Sequence, residues 1–284
     1  MGYDVSYHPI SPEEMDKLYF SQLKLLKETG KSNISEIVKQ RDFKGKEEYE
    51  DVIEEKYINV MDAAIKADTN EPFEKEHVFY LAVVQGLFHP YFYTRGTGFS
   101  ILIEDIPSMK KYLTSWQDIK PMEIVNEVTN GIVENYSGGC YIGYDNVVKL
   151  LDDYENDKEI KNCIDEYYEQ NSVTFIKALN YAKEHKVGLV EATEVIEPNP
   201  LDLKNTTTYS NLLNCDIEGA LIYEETAFNQ FANALKKEKE LGLEKNEEKE
   251  ENEKKDNSFV KGLKNLFGKH WLKTIFLIII WIAP

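Results

Sequence analysis

Alternating and helical patterns of apolar residues follow one another from the start of the chain to about residue 243. Residues 3–10 alternate in hydrophobicity and are rich in aromatic and β-branched side chains, which predicts a short strand. Ser11 can then cap a helix that has Pro12 at its first position and Glu14 in its first turn. Gly30 is expected to end that helix, because glycine favours the left-handed conformation at a helix C-terminus.

Apolar residues at helical spacing predict further helices along the chain. Residues 96–104 begin with two glycines and continue with branched residues, so a turn followed by a strand is expected there. Residues 187–196 predict a second buried strand, and the glycine-containing residues 136–143 predict a turn-rich break. The predicted helices cover residues 46–67, 73–87, 106–116, 159–169, 173–185 and 216–243, and one more is expected to begin at a cap formed by Asp145.

Helices outnumber strands in this pattern, and the two do not alternate regularly. The predicted fold class is therefore α+β, a mainly helical single domain with a small β-sheet. This domain is expected to cover residues 1–243, because no Pro/Gly/Ser-rich linker interrupts the apolar periodicity before that point. A charged, disordered linker at residues 244–257 and a basic amphipathic and apolar helical tail at residues 258–284 complete the predicted organisation.

Acidic residues dominate the charge of the chain, with 51 Asp and Glu against 33 Lys and Arg and a formal net charge of −18. The linker carries −3 and the tail +4, so residues 1–243 carry about −19. Such a field repels nucleic acid, which is not expected as a partner, and attracts basic proteins. The same charge also serves solubility alone, and both interpretations stay open.

The three cysteines, Cys140, Cys163 and Cys215, lie far apart and form no CxxC pair. The chain also lacks a charged and then apolar N-terminal signal segment. Reduced thiols in the cytoplasm are therefore expected. No cofactor is expected either, since the glycines at residues 96–98 lack the lysine and the spacing of a phosphate loop and no other motif fixes a chemistry.

Two histidines and one arginine offer the most interesting local chemistry. His8 and His89 each precede a proline and could bind a metal ion, although no pair of histidines has the spacing that places both on one helix face. Arg95 follows His89 in an aromatic segment and precedes glycines whose amides could hold an anion. These residues define one hypothesis, an enzyme or a small-ligand or metal-binding protein with a cleft near all three. Structural histidines and a simple turn explain the same residues.

Three glutamates, Glu191, Glu194 and Glu197, lie at a spacing of three near the end of the predicted strand 187–196. Carboxylates in such a position could act as a general acid and base. The spacing alone does not show that they meet.

Tyrosines beside acids suggest a recognition surface, most clearly at Asp165, Glu166, Tyr167 and Tyr168. Rigid aromatic rings anchor interfaces, while carboxylates attract a basic partner. The leading hypothesis is therefore a non-enzymatic binding protein that occludes a basic protein partner. Ordinary amphipathic packing of the same tyrosines is the alternative.

Several segments resemble an uncharacterised bacterial protein family whose members begin in much the same way. They read MGYDVSYHPIS at the N-terminus, then YSGGCYIGYDNVVKLLDDY, GLVEATEVIEPNPLDL and SNLLNCDIEGALIYEETA. The resemblance covers about residues 1–235 and implies a cytoplasmic bacterial protein, without an activity or catalytic residues to carry over. Some acidic proteins of this general type are similar to immunity proteins, which neutralise toxins by occluding them.

The C-terminal tail has the composition of a membrane anchor. Ser258 can cap a basic amphipathic helix, but the uninterrupted apolar run at residues 275–284 is too short for a full span. We expect peripheral or partly inserted attachment to an anionic membrane surface on the cytoplasmic side, and a membrane-tethered scaffold is the third hypothesis. The alternative is a C-terminal segment that packs on the domain or stays disordered. The residues expected at the interface are Lys261, Lys264, Lys269, Trp271, Lys273 and Trp281.

Cell fractionation tests this anchor. The full chain should appear in the membrane pellet and a version ending at Asn257 in the supernatant, because only the former carries the tail lysines and tryptophans. Release of the full chain by high salt would support peripheral binding. Identical distribution of both chains would rule the anchor out.

Overall fold

The computed structural model describes residues 3–41, 47–67, 73–119 and 131–246. Helices dominate, and the strands form a small five-stranded sheet and a separate two-stranded sheet. The strands are β1 (Asp4–Ile10), β2 (Tyr91–Arg95), β3 (Gly138–Ile142), β4 (Gly188–Thr193), β5 (Ile196–Glu197), β6 (Thr207–Thr208) and β7 (Cys215–Asp216). The α-helices are α1 (Pro12–Met15), α2 (Ser21–Thr29), α3 (Ile34–Lys39), α4 (Glu47–Lys66), α5 (Phe73–Phe88), α6 (Phe99–Asp105), α7 (Trp116–Ile119), α8 (Tyr144–Asn156), α9 (Lys158–Tyr168), α10 (Ser172–His185) and α11 (Glu218–Asn246).

The main sheet has five strands in the order β3-β4-β1-β2-β7. Strand β1 lies at its centre and pairs antiparallel with both β2 and β4. All seven residues of β1 are buried, because helices cover both faces of the sheet. Alternate residues therefore face different helices: Val5 and Tyr7 pack towards α10, whereas Ile10 packs with the helices on the other face.

Two hydrophobic cores occupy the two faces of the sheet. One joins α2, α3, α4 and α5 to the sheet through residues such as Tyr57, Met61 and Val84. The other joins α6, α8, α9 and α10 to the opposite face through residues such as Phe99 and Phe175. The predicted α+β class and the mainly helical domain are confirmed.

The N-terminal prediction agrees with the structure in detail. The Ser11 side chain accepts a hydrogen bond from the Glu14 amide at 3.2 Å, and Gly30 has a left-handed φ of 66° at the end of α2. The sequence did not indicate that a π-helical segment, Asp16–Phe20, joins α1 to α2. That segment buries three consecutive residues, Leu18, Tyr19 and Phe20.

Three local predictions are wrong. Residues 96–104 do not form a strand, because Phe99–Asp105 is helix α6, and β2 ends before them. Residues 136–143 contain strand β3 as well as a turn, and β3 pairs antiparallel with β4. Helix α8 begins after Gly143 instead of after Asp145, which lies within its first turn.

A buried carboxylate explains why residues 99–105 are helical. Glu191 on β4 is 1% exposed and accepts hydrogen bonds from the backbone amides of Phe99 and Ser100 and from the Ser100 hydroxyl. A negative charge at a helix N-terminus satisfies free amides and complements the helix dipole. This contact spans about ninety residues of chain, so local preference could not reveal it.

Residue contacts divide the chain into two units, Met1–Glu225 and Thr226–Pro284. Of the second unit only residues 226–246, within α11, are described. The predicted linker at 244–257 lies mostly outside the described residues, and the tail at 258–284 lies entirely outside them, including the six interface residues named above. No helix in the described ranges is long and apolar enough to cross a membrane.

Replacing Glu191 by alanine should lower the free energy of unfolding by about 3 kcal/mol or more, because buried amides and a hydroxyl lose their acceptor. Urea unfolding followed by far-UV circular dichroism measures the loss. The exposed Glu155 gives a matched control, for which a change within about 0.5 kcal/mol is expected. Equal effects of Glu191→Ala and Glu155→Ala would contradict the role assigned to Glu191.

Candidate binding surface

His8 lies inside the domain, on the face of β1 that packs against α5. Its Nδ1 is 2.8 Å from the Gln85 side-chain oxygen, and its Nε2 is 2.9 Å from the Ser6 hydroxyl. Gln85 uses its amide nitrogen to donate to the carbonyls of Pro9 and Pro90, so its oxygen must accept from His8. His8 therefore carries a proton on Nδ1, and burial lowers its pKa to about 4, so the ring is neutral at pH 7.

His89 lies elsewhere, at the end of α5. Its Nε2 is 3.2 Å from a carboxylate oxygen of Glu14, and this hydrogen bond lowers the pKa of Glu14. The contact joins the end of α5 to α1. It is a partly exposed link between two helices.

Arg95 has partners of its own at the far end of β2. Its guanidinium is 2.5 Å from Asp4 and lies over the ring of Tyr223 at 5.0 Å. The glycine amides that could have held an anion beside it are used within the protein, since Gly96 donates to the Tyr3 carbonyl and Gly98 to the Tyr167 hydroxyl.

The residues proposed for a cleft therefore belong to three separate sets of contacts. His8 bonds to Ser6 and Gln85, His89 to Glu14, and Arg95 to Asp4. Across the described residues, no cluster of three or more His, Cys, Asp or Glu side chains is arranged to hold a metal ion. The convergence required by a cleft near all three residues is not observed.

The three spaced glutamates also separate. Glu191 caps α6, and burial raises its pKa. Glu194 has a left-handed φ of 59° and lies beside Asp4, where its carboxylate accepts from the Asp4 amide at 3.3 Å. Burial, followed by the nearby charge of Asp4, raises the pKa of Glu194. Glu197 instead accepts a hydrogen bond from the Tyr136 hydroxyl.

The four residues predicted to bind a partner lie on α9, but they differ in exposure. Glu166 is exposed, Asp165 and Tyr167 are half-buried, and Tyr168 is completely buried. Tyr168 shares a 2.6 Å hydrogen bond with Tyr7 and stacks on Phe175, so it belongs to the core and not to a recognition surface. The sequence could not separate it from Tyr167, because adjacent tyrosines differ only in the helix face they occupy.

A larger acidic surface surrounds Glu166. Residues 144–169 contain nine acids and three lysines, and α8 and α9 bury their apolar stripes while their carboxylates face outwards. The Lys161 ammonium group forms an ion pair with the Asp165 carboxylate, 3.0 Å away. We call this surface the α8–α9 acidic face, and its exposed carboxylates are Asp145, Asp152, Glu155, Asp157, Glu159, Glu166 and Glu169.

Tyr167 lies at one border of the α8–α9 acidic face. Burial raises its pKa to about 12, and the charges of Glu191, Asp105 and Glu104 add to this increase. Glu104 and Asp105 are exposed at the end of α6, so they extend the negative surface beyond α9. The sequence placed Glu104 at the end of a predicted strand and therefore did not suggest this extension.

Comparison of the chain with protein families, with curated proteins and with solved structures found no match in any of the three. The resemblance of the quoted segments to a bacterial family therefore stays a prediction. The function proposed below rests on the residues of this chain.

The buried His8 predicts a specific pH dependence. Unfolded histidine binds a proton below about pH 6.5, whereas folded His8 stays neutral until about pH 4, so the unfolded state binds more protons and stability falls as the pH is lowered between these values. Near pH 5 this loss is about 2 kcal/mol. The raised pKa of Glu194 acts in the opposite direction, so the His8 ring itself should be followed by NMR. A titration midpoint of 6 or above for His8 would contradict the assignment.

Proposed function

We propose that this protein is a non-enzymatic binding protein that occludes a basic protein partner through the α8–α9 acidic face, as a bacterial immunity or inhibitor protein does. The observation that supports this proposal is the excess of exposed carboxylates on two adjacent helices. Binding by occlusion requires a complementary surface and no catalytic group.

The distribution of charge on the α8–α9 acidic face favours recognition over simple solubility. Its carboxylates are concentrated on one helical hairpin, and two of the lysines nearest to them are already paired, Lys161 with Asp165 and Lys111 with Asp153. Within the described residues, Glu155, Glu159 and Glu166 form no ion pair. Concentrated charge of one sign raises the rate at which an oppositely charged partner arrives.

Tyr167 and Tyr154 provide aromatic surface beside these charges. Tyr154 is half-buried, and its hydroxyl donates a hydrogen bond to the Asp165 carboxylate at 2.8 Å. The Lys161 ammonium group lies 4.1 Å from the centre of the Tyr154 ring. Rings held in this way lose little conformational freedom when a partner covers them. Asp165, Glu166 and Tyr167 therefore remain the proposed contact residues, and Tyr168 supports them from inside.

The test begins with a pull-down from cells of the source organism and identification of the captured protein. Its association rate with the purified full chain is then measured at low and physiological ionic strength. We expect a basic partner whose association slows as salt screens the acidic surface. An acidic or neutral partner, or a rate that does not depend on salt, would overturn the proposal.

Charge-matched variants locate the contact surface. Neutralising Glu155, Glu159 and Glu166 together by glutamine should slow association about tenfold at low salt. The control replaces Glu28, Glu36 and Glu55, three exposed acids on the helices at the other face of the sheet, and changes the net charge equally. Equal slowing by both triple variants would show that only net charge matters and that the α8–α9 acidic face is not the site.

A further inference from the structure

A cavity lined by aromatic rings lies at the outer surface of α4 and α5, away from the α8–α9 acidic face. It has a volume of about 490 Å³, within the range of small-ligand pockets. Phe79 on α5 forms its floor, and Tyr136 and Tyr209 come from two separate loops. The two tyrosines are 43% and 49% exposed, so their rings are available to a ligand.

The three rings are mutually perpendicular. The ring centres of Phe79 and Tyr136 are 5.6 Å apart at 80°, and those of Phe79 and Tyr209 are 5.6 Å apart at 81°. Tyr136 and Tyr209 are 5.8 Å apart at 86°. Three aromatic faces at right angles, with a fourth ring from Tyr80 in the wall, resemble the walls of an aromatic cage for a cation.

The charged groups in the wall favour a cation as well. Among the described residues that line the cavity, the charged ones are both acidic, Glu76 and Glu134. The Glu76 Oε2 atom is buried and has no hydrogen-bond partner among the described residues. Because an unpaired buried carboxylate oxygen is costly, a cation placed near it would be stabilised.

The two exposed tyrosines are held in place by the surrounding backbone. Tyr136 adopts a left-handed φ of 58°, which is uncommon for an aromatic residue, and its hydroxyl donates to Glu197 at 3.2 Å. The Tyr209 amide donates to the Val195 carbonyl at 3.1 Å. Strained and well-anchored residues are frequent at ligand sites, since they hold a binding geometry ready before the ligand arrives.

The segment that carries Tyr209 is fixed from inside the domain too. The neighbouring Ser210 is fully buried and donates its hydroxyl hydrogen to the Val83 carbonyl at 2.8 Å. Lys56 donates to the carbonyls of Thr208 and Ser210. Its positive charge is thus used to hold this segment, and Lys56 does not line the cavity.

We propose that this cavity binds an alkylammonium group, held between the rings of Phe79, Tyr136 and Tyr209 and attracted by Glu76. Such a group occurs in free quaternary amines and at the end of a lysine or methylated lysine side chain. The site goes beyond the proposed function, because none of its residues belongs to the α8–α9 acidic face.

The test titrates the full chain with choline chloride and follows backbone amide signals by NMR, with sodium chloride holding the ionic strength constant. The matched probe is 3,3-dimethylbutanol, which has the shape of choline without its charge. We expect saturable shifts near residues 134–137 and 208–210, and at least about tenfold weaker binding of the neutral probe. Equal binding of the two probes, or no saturable shift with any probe, would overturn the proposal.

Two variants test the residues. Tyr209→Leu keeps an apolar side chain at an exposed position and should weaken choline binding about tenfold, and Glu76→Gln should weaken it without changing the size of the side chain. Tyr144→Leu, at an exposed tyrosine outside this cavity, is the control and should bind choline as the unaltered chain does. Unchanged binding by Tyr209→Leu would also overturn the proposal.

A second set of titrations identifies the source of the alkylammonium group. Nα-acetyl-lysine methylamide and its Nε-trimethyl form represent a protein side chain, whereas choline represents a free amine. Tighter binding of either lysine probe supports a protein-borne cation, and tighter binding of choline supports a small molecule. The acidic-face variants Glu155→Gln, Glu159→Gln and Glu166→Gln should leave all these affinities unchanged, so this site and the proposed partner surface can fail independently.

Discussion

The contact between Glu191 and the first turn of α6 organises one half of the domain. The Glu191 carboxylate projects from the sheet into the core between β1, β3 and α9, where it is completely buried. Gly139 on β3 leaves the space that the carboxylate occupies, since a Cβ atom there would collide with Glu191. A buried carboxylate is stable only when hydrogen bonds replace its water, and the amides of a helix N-terminus supply those bonds.

The other face of the sheet contains a neutral counterpart to this contact. His8, Gln85 and Ser6 form a buried network in which each donor has an acceptor. The Gln85 amide also donates to the carbonyls of Pro9, near the end of β1, and Pro90, just before β2. Such networks are costly when incomplete and specify one arrangement when satisfied. Two internal polar contacts, one built on the carboxyl group of Glu191 and one on the imidazole of His8, thus hold helices of both layers in position on the sheet.

The acidic charge of the chain lies mainly on the surface, away from these two buried polar contacts. Glu155, Glu159 and Glu166 lie on helices whose inner faces are buried, so these three carboxylates form a negative outer surface. The aromatic cavity is built differently, from helices α4 and α5 and two loops that backbone and side-chain hydrogen bonds hold in place. The proposed partner surface depends on charge density, whereas the proposed cation site depends on the mutual angles of three rings.

The sequence by itself determined the fold class, the strand β1, the capped helix after it and most of the long helices, because these elements follow from local periodicity and capping. It also identified the acidic, tyrosine-containing segment of α9. It could not separate the half-buried Tyr167 from the fully buried Tyr168, nor show that His8, His89 and Arg95 have separate partners.

Only the tertiary structure decided that residues 99–105 are helical and that Phe79, Tyr136 and Tyr209 meet. The sequence contained one relevant signal, the charged residue Glu191 in the middle of a segment that otherwise predicts a buried strand. A charge in a buried strand indicates a buried polar partner, but it does not identify that partner. The partners are separated from Glu191 by about ninety residues, and the three rings by more than fifty residues from one to the next. Contacts over such distances depend on how the chain packs, because local sequence preferences reach no further than the neighbouring turn or strand.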